Sequence, residues 1–193
     1  MDRPKTSARR IAVYCGSANG SNPEYLAEAR NLGREIAGAG MGLVYGGASV
    51  GLMGAVADAA LSAGAEVIGI LPRVLSGREI AHSRLTTLEV VPTMHERKMR
   101  MHALADAFVA LPGGYGTLDE LIEAVTWAQL AIHAKPCILI NTLGYWNGLL
   151  YFLDTAVTTG FLKPSNRALL RVAANSTQAV SLAASLTCQA ASA

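Results

Sequence analysis

The sequence predicts a single α/β domain, a doubly wound parallel sheet with helices on both faces. Its short apolar runs do not alternate with polar residues, which is typical of strands covered on both faces, as in parallel sheets. These runs alternate with longer segments of helical periodicity, and no linker rich in proline, glycine or serine interrupts them. With 193 residues, of which 51% are hydrophobic and 16% charged, the chain is long enough to bury one core.

Each element follows from this pattern in chain order. Runs of apolar, often β-branched residues predict strands at 11–14, 43–45, 67–71, 88–91, 107–111, 137–140 and 169–173. Between them, the periodicity predicts helices at 23–39, 52–63, 93–105, 118–132, 146–159 and 176–186. We expect one domain over 10–187 with flexible tails at 1–9 and 188–193, because the first residues are polar and basic and the last are rich in alanine and serine.

The charge balance and the cysteine spacing argue against several classes of protein. The 16 lysines and arginines barely exceed the 14 aspartates and glutamates, so the basic excess of a dedicated nucleic-acid binder is missing. Cys15, Cys137 and Cys188 lie far apart, and the histidines show no metal-ligand spacing. No apolar stretch is long enough for a membrane span or a secretory signal. We therefore expect a cytoplasmic protein with no metal, membrane or nucleic-acid partner.

Three glycine-rich loops, at 15–20, 46–54 and 112–120, each join a predicted strand to a predicted helix. In a doubly wound sheet, ligands bind beyond the carboxyl ends of the strands, and glycine there lets backbone N–H groups approach an anion. Leu52 replaces the lysine of a triphosphate-binding loop, and no loop completes the GxGxxG dinucleotide pattern. The loops indicate a different phosphate-bearing ligand, although glycine-rich turns also occur in such sheets for geometry alone.

The third loop adds a carboxylate to this expected phosphate site. Thr117 and Glu120 have the spacing of a capping box, which predicts that a helix begins near Thr117. A phosphate held by the N–H groups of residues 114–117 would then lie about a sugar's width from Glu120. The carboxylate of Glu120 either acts on that sugar or only closes the cap. The basic run at 95–101 is either a solvated helix face or part of the same ligand edge.

The string Pro112-Gly113-Gly114-Tyr115-Gly116-Thr117-x-x-Glu120 resembles the LOG family, the cytokinin-activating phosphoribohydrolases. Further strings similar to the family's are Cys-Gly-Ser at 15–17, the GGxSxGLMG-like loop at 46–54, Arg-Glu-Ile at 78–80, Met-x-x-Arg-Lys-x-x-Met at 94–101 and Thr-Trp-Ala-Gln-Leu at 126–130. The resemblance runs from about residue 10 to residue 171. The sequence departs from the family at Ala48, where family members commonly have glycine, and in its tail, which is not charged.

The resemblance implies a Rossmann-like fold and hydrolysis of the N-glycosidic bond of cytokinin riboside 5′-monophosphates, without a metal or redox cofactor. It implies that Arg97 and Glu120 are the catalytic pair, with the role of Arg97 open, and that the enzyme is a homodimer or a larger assembly with its sites near the subunit interface. The residues that it implies for substrate binding are Ser17, Gly47, Glu79, Met94, Arg97, Lys98, Gly113, Gly114, Tyr115, Gly116, Thr117, Leu118, Asp119, Glu120 and Thr126.

Two other functions remain open from the sequence. One is a less selective nucleosidase that acts on AMP, because nothing in the sequence measures how an N6 substituent is accommodated. The other is a non-catalytic module that binds a nucleotide or the molybdenum cofactor, as in the wider superfamily. A pure carrier would not need Arg97 and Glu120 together, so this pair favours the enzyme.

Overall fold

A parallel sheet of seven strands forms the centre of the computed structural model, which describes residues 9–76 and 81–190. The strand order is β4-β3-β2-β1-β5-β6-β7, and every pair of neighbours is parallel. The strands are β1 Arg10–Tyr14, β2 Gly42–Tyr45, β3 Val67–Pro72, β4 Thr87–Val91, β5 Ala107–Ala110, β6 Cys137–Ile140 and β7 Leu170–Ala173. The helices are α1 Pro23–Gly38, α2 Gly51–Ser62, α3 Arg73–Ser76, α4 Met94–Leu104, α5 Tyr115–Gln129, α6 Asn147–Thr158, α7 Pro164–Arg167 and α8 Ser176–Ala190.

The predicted α/β class, all seven predicted strands and all six predicted helices are confirmed. The sequence pattern missed α3, α7 and a 3₁₀ turn at Thr142–Gly144, which are too short to show a helical period. It also ended the last helix at 186, whereas α8 continues to Ala190. Edge strand β4 is largely exposed, so it lacks the cover on both faces that its apolar run predicted.

Helices cover both faces of the sheet, as predicted. Successive residues of β1 point to opposite faces, so Ile11 and Val13 enter one core and Ala12 and Tyr14 the other. The first core is completed by α1, α2 and α8, and the second by α4, α5 and α6. The arginine and the glutamate predicted to be catalytic are on α4 and α5, so they lie on the same face. Among the described residues, no helix is both long and apolar enough to cross a membrane.

The three glycine loops meet where the strand order reverses, between β1 and β5. The chain builds the sheet outwards from β1 to β4 and then returns to β5 on the other side of β1. The loops are joined by backbone hydrogen bonds from Gly16 N–H to the Pro112 carbonyl, 3.0 Å, and from Leu52 N–H to the Gly16 carbonyl, 3.1 Å. Gly51 has a φ of 60°, and a Cβ there would collide with the backbone of Ser17. A crevice at the carboxyl ends of the strands follows, as expected for this topology.

Candidate active site

A cleft of about 400 Å³ lies at this crevice and brings the three glycine loops together with α4 and α5. A larger cavity, of about 550 Å³, lies between α1 and α2. Only the smaller cleft collects the predicted catalytic residues. It is lined by Cys15, Gly16, Ser17, Gly46, Ala48, Val50, Met53, Leu71, Leu75, Arg97, Gly114, Tyr115, Gly116, Thr117 and Glu120.

Helix α5 begins one turn earlier than the sequence indicated, and the predicted capping box is wrong. Gly114 is the N-cap and Tyr115 the first helical residue, which places Thr117 third and Glu120 sixth in the helix. The physical reason is tertiary packing. Thr117 is buried against Gly113, so closely that a Cβ on Gly113 would collide with the Thr117 side chain. Thr117 therefore does not serve as an exposed cap at the start of the helix. Glu120 is therefore too far from the helix start to close it.

The start of α5 presents free backbone N–H groups to the cleft. Its first intrahelical hydrogen bond runs from Leu118 N–H to the Gly114 carbonyl, 3.1 Å. The N–H groups of Tyr115, Gly116 and Thr117 precede that bond, so the helix offers them no acceptor. All three residues line the cleft. Free donors and the positive end of the helix dipole together favour a phosphate here.

Arg97 and Glu120 form an ion pair across α4 and α5 inside the cleft. Arg97 Nη2 lies 2.7 Å from Glu120 Oε1, and their side chains are only 12% and 10% exposed. The guanidinium passes directly over Gly46, where a Cβ would collide with it. Burial raises the pKa of the Glu120 carboxyl, although the charge of Arg97 opposes this. The arrangement provides a carboxylate that is oriented by a cation and holds its proton more tightly than an exposed glutamate does.

Lys98 turns away from this pair towards two other carboxylates of α5. Its Nζ lies 2.9 Å from Glu123 Oε2 and 3.1 Å from Asp119 Oδ2. Burial by itself would lower the pKa of Lys98, but the hydrogen bonds to Glu123 and Asp119 raise it above its usual value. Lys98 and Asp119, both expected to contact substrate, are thus paired with each other. Glu123 is not among the residues predicted to bind substrate.

The remaining predicted residues differ in their distance from the cleft. Ser17 lines it, while Met94 is exposed and lies beside Arg97, with Sδ 3.3 Å from Arg97 Nη1. Gly47 follows Gly46 and accepts a hydrogen bond from His82 N–H, 2.9 Å.

Gly113 lies beside the cleft, and its carbonyl accepts a hydrogen bond from the Tyr145 hydroxyl, 2.8 Å. Leu118 is half-buried and packs against the second core. Thr126 is exposed on α5, well beyond the lining. Glu79 lies outside the described residues, as do Arg78 and Ile80.

Sequence reasoning missed the apolar wall of the cleft. Val50 and Met53 belong to the second glycine loop and the start of α2, while Leu71 and Leu75 come from β3 and α3. Val50 and Met53 lie in the loop at 46–54, whose similarity to the LOG family could have pointed to them. One-turn helix α3 has no sequence pattern that could have pointed to Leu75. An apolar wall beside an anion site suits a planar base.

The cysteine and histidines near the site have structural surroundings. Burial raises the pKa of the Cys15 thiol, so it is not an activated nucleophile. His82 contacts Asp58, with Nε2 3.2 Å from Oδ1. His102 packs between Phe108 and Trp127, and burial lowers its pKa to about 4. Within residues 9–76 and 81–190, no group of three or more His, Cys, Asp or Glu side chains is arranged to hold a metal ion.

The fold and the cleft define a doubly wound α/β protein in which the N-terminus of a helix lies beside a buried Arg–Glu pair. A family profile described as "Possible lysine decarboxylase" matches residues 53–183. The chain is 47% identical over 180 residues to cytokinin riboside 5′-monophosphate phosphoribohydrolase LOG7 of Arabidopsis thaliana, covering 93% of this chain and 83% of that protein. It is 49% identical over 162 residues to the phosphoribohydrolase LOG of Oryza sativa subsp. japonica, covering 84% and 67%.

Among solved structures, the molybdenum cofactor binding protein of Rippkaea orientalis matches with a TM-score of 0.72 and 25% identity, covering 94% of this chain and 99% of that one. It shares the fold at much lower identity than the plant enzymes. The chain belongs to the LOG family of cytokinin riboside 5′-monophosphate phosphoribohydrolases.

Proposed function

We propose that this protein hydrolyses the N-glycosidic bond of cytokinin riboside 5′-monophosphates, which are N6-substituted AMP, to the free base and ribose 5-phosphate. The observation that carries the proposal is the Glu120 carboxylate, paired with Arg97 at 2.7 Å, in the same cleft as the N-terminus of α5. Relatives of this chain at 47% and 49% identity bear the name of this activity. The profile's description is "Possible lysine decarboxylase". A pyridoxal-dependent decarboxylase needs a lysine that forms a Schiff base with its cofactor, and the described lining of the cleft includes none.

The geometry supports a division of labour along α5. The N–H groups of Tyr115, Gly116 and Thr117 bind the 5′-phosphate, and Glu120 lies three to five residues, roughly 4.5–7.5 Å, further along the helix axis. That separation suits a ribose whose anomeric carbon faces the carboxylate. The apolar wall formed by Val50, Met53, Leu71 and Leu75 receives the purine.

Hydrolysis then uses the negative charge of Glu120. As the bond from C1′ to the purine nitrogen breaks, its electron pair leaves with the base and the ribose becomes an oxocarbenium ion, which the carboxylate stabilises. A water oxygen bonds to C1′ and gives one proton to Glu120. The departing base takes up one proton from solvent, and Glu120 returns its proton to solvent, so that one water is consumed in total. Arg97 orients Glu120 through their ion pair, and its charge is also placed to hold the phosphate or to assist the departing base.

The acid limb of the pH–rate profile should lie above that of an exposed glutamate. Only ionised Glu120 can accept the proton, and burial raises the pKa of its carboxyl. Activity should therefore be lost at a higher pH than it would be for a glutamate with the usual pKa of about 4.3. The measurement is kcat at saturating nucleoside monophosphate between pH 3.5 and pH 8, with stability checked at each pH, because kcat/KM would also report the second pKa of the substrate phosphate, about 6. An acid limb at or below about 4.3 would contradict the assignment.

A comparison of two substrates decides whether the enzyme prefers cytokinin nucleotides or plain AMP. Chromatography of the products from isopentenyladenosine monophosphate and from AMP gives kcat/KM for each. The proposal expects the prenylated nucleotide to be preferred. Equal efficiencies would assign the less selective nucleosidase, and tight binding without any product would assign a nucleotide carrier.

We also propose that the protein acts as a homodimer or a multiple of one. The outer surface of the α4–α5–α6 layer carries exposed apolar side chains, and no residue of α6 is buried in the isolated chain. Tyr151 and Phe152 of α6 are 77% and 65% exposed, and Met94, Met99 and Ile122 of α4 and α5 are also exposed. A second copy of the chain would cover this surface. Exposed Thr126 lies on the same helix as Ile122, which suits a site near the interface.

Light scattering at micromolar concentration should give about twice the 20.2 kDa chain mass. Phe152→Glu should shift the mass towards the monomer, because it places a charge in an apolar interface. Ser185→Glu, at an exposed position of α8 on the opposite layer, is the control and should leave the mass unchanged. A parent protein that is active as a stable monomer would refute the dimer.

A cytoplasmic location is part of the proposal. Cys15 and Cys137 are buried free thiols and Cys188 is an exposed one. Free thiols of this kind suit a reducing compartment.

A further inference from the structure

A second set of ion pairs lies directly beside the Arg97–Glu120 pair, on the same two helices. It consists of Lys98, Asp119 and Glu123, here called the Lys98 cluster. Lys98 Nζ lies 2.9 Å from Glu123 Oε2 and 3.1 Å from Asp119 Oδ2. The side chains of Lys98 and Glu123 are 15% and 22% exposed, so solvent screens this contact only partly.

We propose that Glu123 is a positioning residue for the catalytic pair, acting through Lys98 to hold α4 against α5 and to set the charge around Glu120. The inference rests on the proposed function, because it assigns Glu123 a part in the chemistry of Glu120. It adds a residue to which neither the sequence motifs nor the cleft lining gave a role.

The positioning follows from how the residues are spaced. Asp119 and Glu123 are one helical turn apart, so both carboxylates reach the same ammonium group, and Glu123 is also one turn from Glu120. Lys98 follows Arg97 on α4, so any shift of α4 that moves Lys98 also moves Arg97. Glu123 Oε1 is buried and, within the described part of the chain, has no hydrogen-bond partner. The carboxylate of Glu123 is therefore held by Lys98.

An aromatic contact between the two helices lies one turn beyond the cluster. The His102 ring on α4 lies 4.4 Å from the Trp127 ring on α5, measured between ring centroids. The Lys98 cluster thus separates the catalytic pair from this aromatic contact. Without the Lys98–Glu123 contact, the pair at the cleft end of the helices would lose its neighbouring support.

Charge is the second part of the inference. The charged groups that act on Glu120 are Arg97 and Lys98 from α4 and Asp119 and Glu123 from α5 itself. Glu120 in turn helps to raise the pKa of Tyr14, at the end of β1, and of Cys15, which follows it. Negative Glu123 disfavours ionised Glu120, and positive Lys98 favours it. Removing either charge should therefore move the titration of Glu120, and in opposite directions.

The test combines Glu123→Gln, Lys98→Met and the double variant, each assayed on a nucleotide that the parent cleaves. Glu123→Gln should lower kcat by roughly 10-fold with KM within about 2-fold, because the N–H donors of α5 are unchanged. Its acid limb should move to lower pH by at least about 0.3 units, and that of Lys98→Met to higher pH. The double variant should return the limb close to that of the parent. A loss of packing alone would not give opposite shifts.

Two further variants sharpen the result. Glu123→Asp keeps the charge but shortens the reach to Lys98, so kcat should fall while the acid limb stays in place. Glu89→Gln is the matched control. Glu89 also forms an ion pair with α4, with Oε2 2.6 Å from Arg100 Nε, but it lies on β4 and not on α5. It should change neither kcat nor the limb.

The outcomes separate the inference from the proposed function. A cleaving parent whose kcat and acid limb are unaffected by Glu123→Gln would overturn the inference alone, as would limb shifts in the same direction for Lys98→Met and Glu123→Gln. A parent that cleaves no nucleotide would overturn both. If Glu123→Gln fails to fold, Glu123→Asp decides the question through kcat, which should fall while the acid limb stays in place; a parental kcat would overturn the inference.

Discussion

Replacing Glu120 with glutamine should lower kcat by roughly 10²- to 10⁴-fold, the usual contribution of a positioned acid or base. The change removes the negative charge that stabilises the ribose cation and accepts the proton of water. The amide oxygen still accepts a hydrogen bond from Arg97, whose side chain is 12% exposed, so Arg97 is not left without an acceptor. We therefore expect the midpoint of thermal unfolding to stay within a few degrees of the parent's.

Nucleotide binding should survive in Glu120→Gln, because the N–H donors at the start of α5 are unchanged. The measurements are single-turnover cleavage, calorimetric binding of AMP and a thermal melt on the same preparation. Glu24→Gln, at an exposed position in the first turn of α1, is the matched control and should have parental turnover. Near-parental turnover in Glu120→Gln would make the carboxylate dispensable and transfer the role to Asp119 or to Glu123.

Removing the 5′-phosphate from the substrate should lower kcat/KM by on the order of 10³-fold or more. Hydrogen bonds to a charged acceptor contribute roughly 1.5–3 kcal/mol each, and the nucleoside loses two or three of them at the start of α5. The comparison is between isopentenyladenosine and its 5′-monophosphate under the same conditions. Similar efficiencies for the two would show that the glycine loops do not bind a phosphate.

The same prediction can be tested by changing the protein instead of the substrate, with a substitution at Tyr115. This residue is exposed and is the first of α5, a position where proline fits a helix. Tyr115→Pro removes one N–H donor, so kcat/KM for the nucleotide should fall roughly 10- to 100-fold. The much weaker activity on the nucleoside should barely change. Tyr115→Ala also removes the side chain but keeps the N–H group, and it should stay close to the parent on both substrates.

The sequence predicted the sheet and its main helices because their signals are local. An apolar run such as that of β1 indicates a strand from a few consecutive residues, without reference to distant parts of the chain. Helix α4 likewise begins where predicted, with the Thr93 hydroxyl accepting a hydrogen bond from Glu96 N–H, 3.1 Å. One-turn helices such as α3 and α7 were missed because four residues are too few to show a period.

The capping box failed for a different reason. Thr117 and Glu120 have the right identities and the right spacing, but tertiary packing buries Thr117 and leaves the N-cap to Gly114. Glu120 then pairs with an arginine on another helix rather than with its own helix start. The motif identified residues that line the cleft, while the local structure inferred from it was wrong.

By itself, the sequence determined the α/β class, the positions of the glycine loops and the candidate pair Arg97 and Glu120, because each of these is a pattern within a short stretch of chain. Only the tertiary structure decided which side chains meet. The strand order places β5 beside β1 and puts α4 and α5 on one face of the sheet. Arg97 therefore reaches Glu120, while its neighbour Lys98 reaches Glu123 and Asp119. The choice of partner depends on how two distant helices pack, and no spacing along the chain records it.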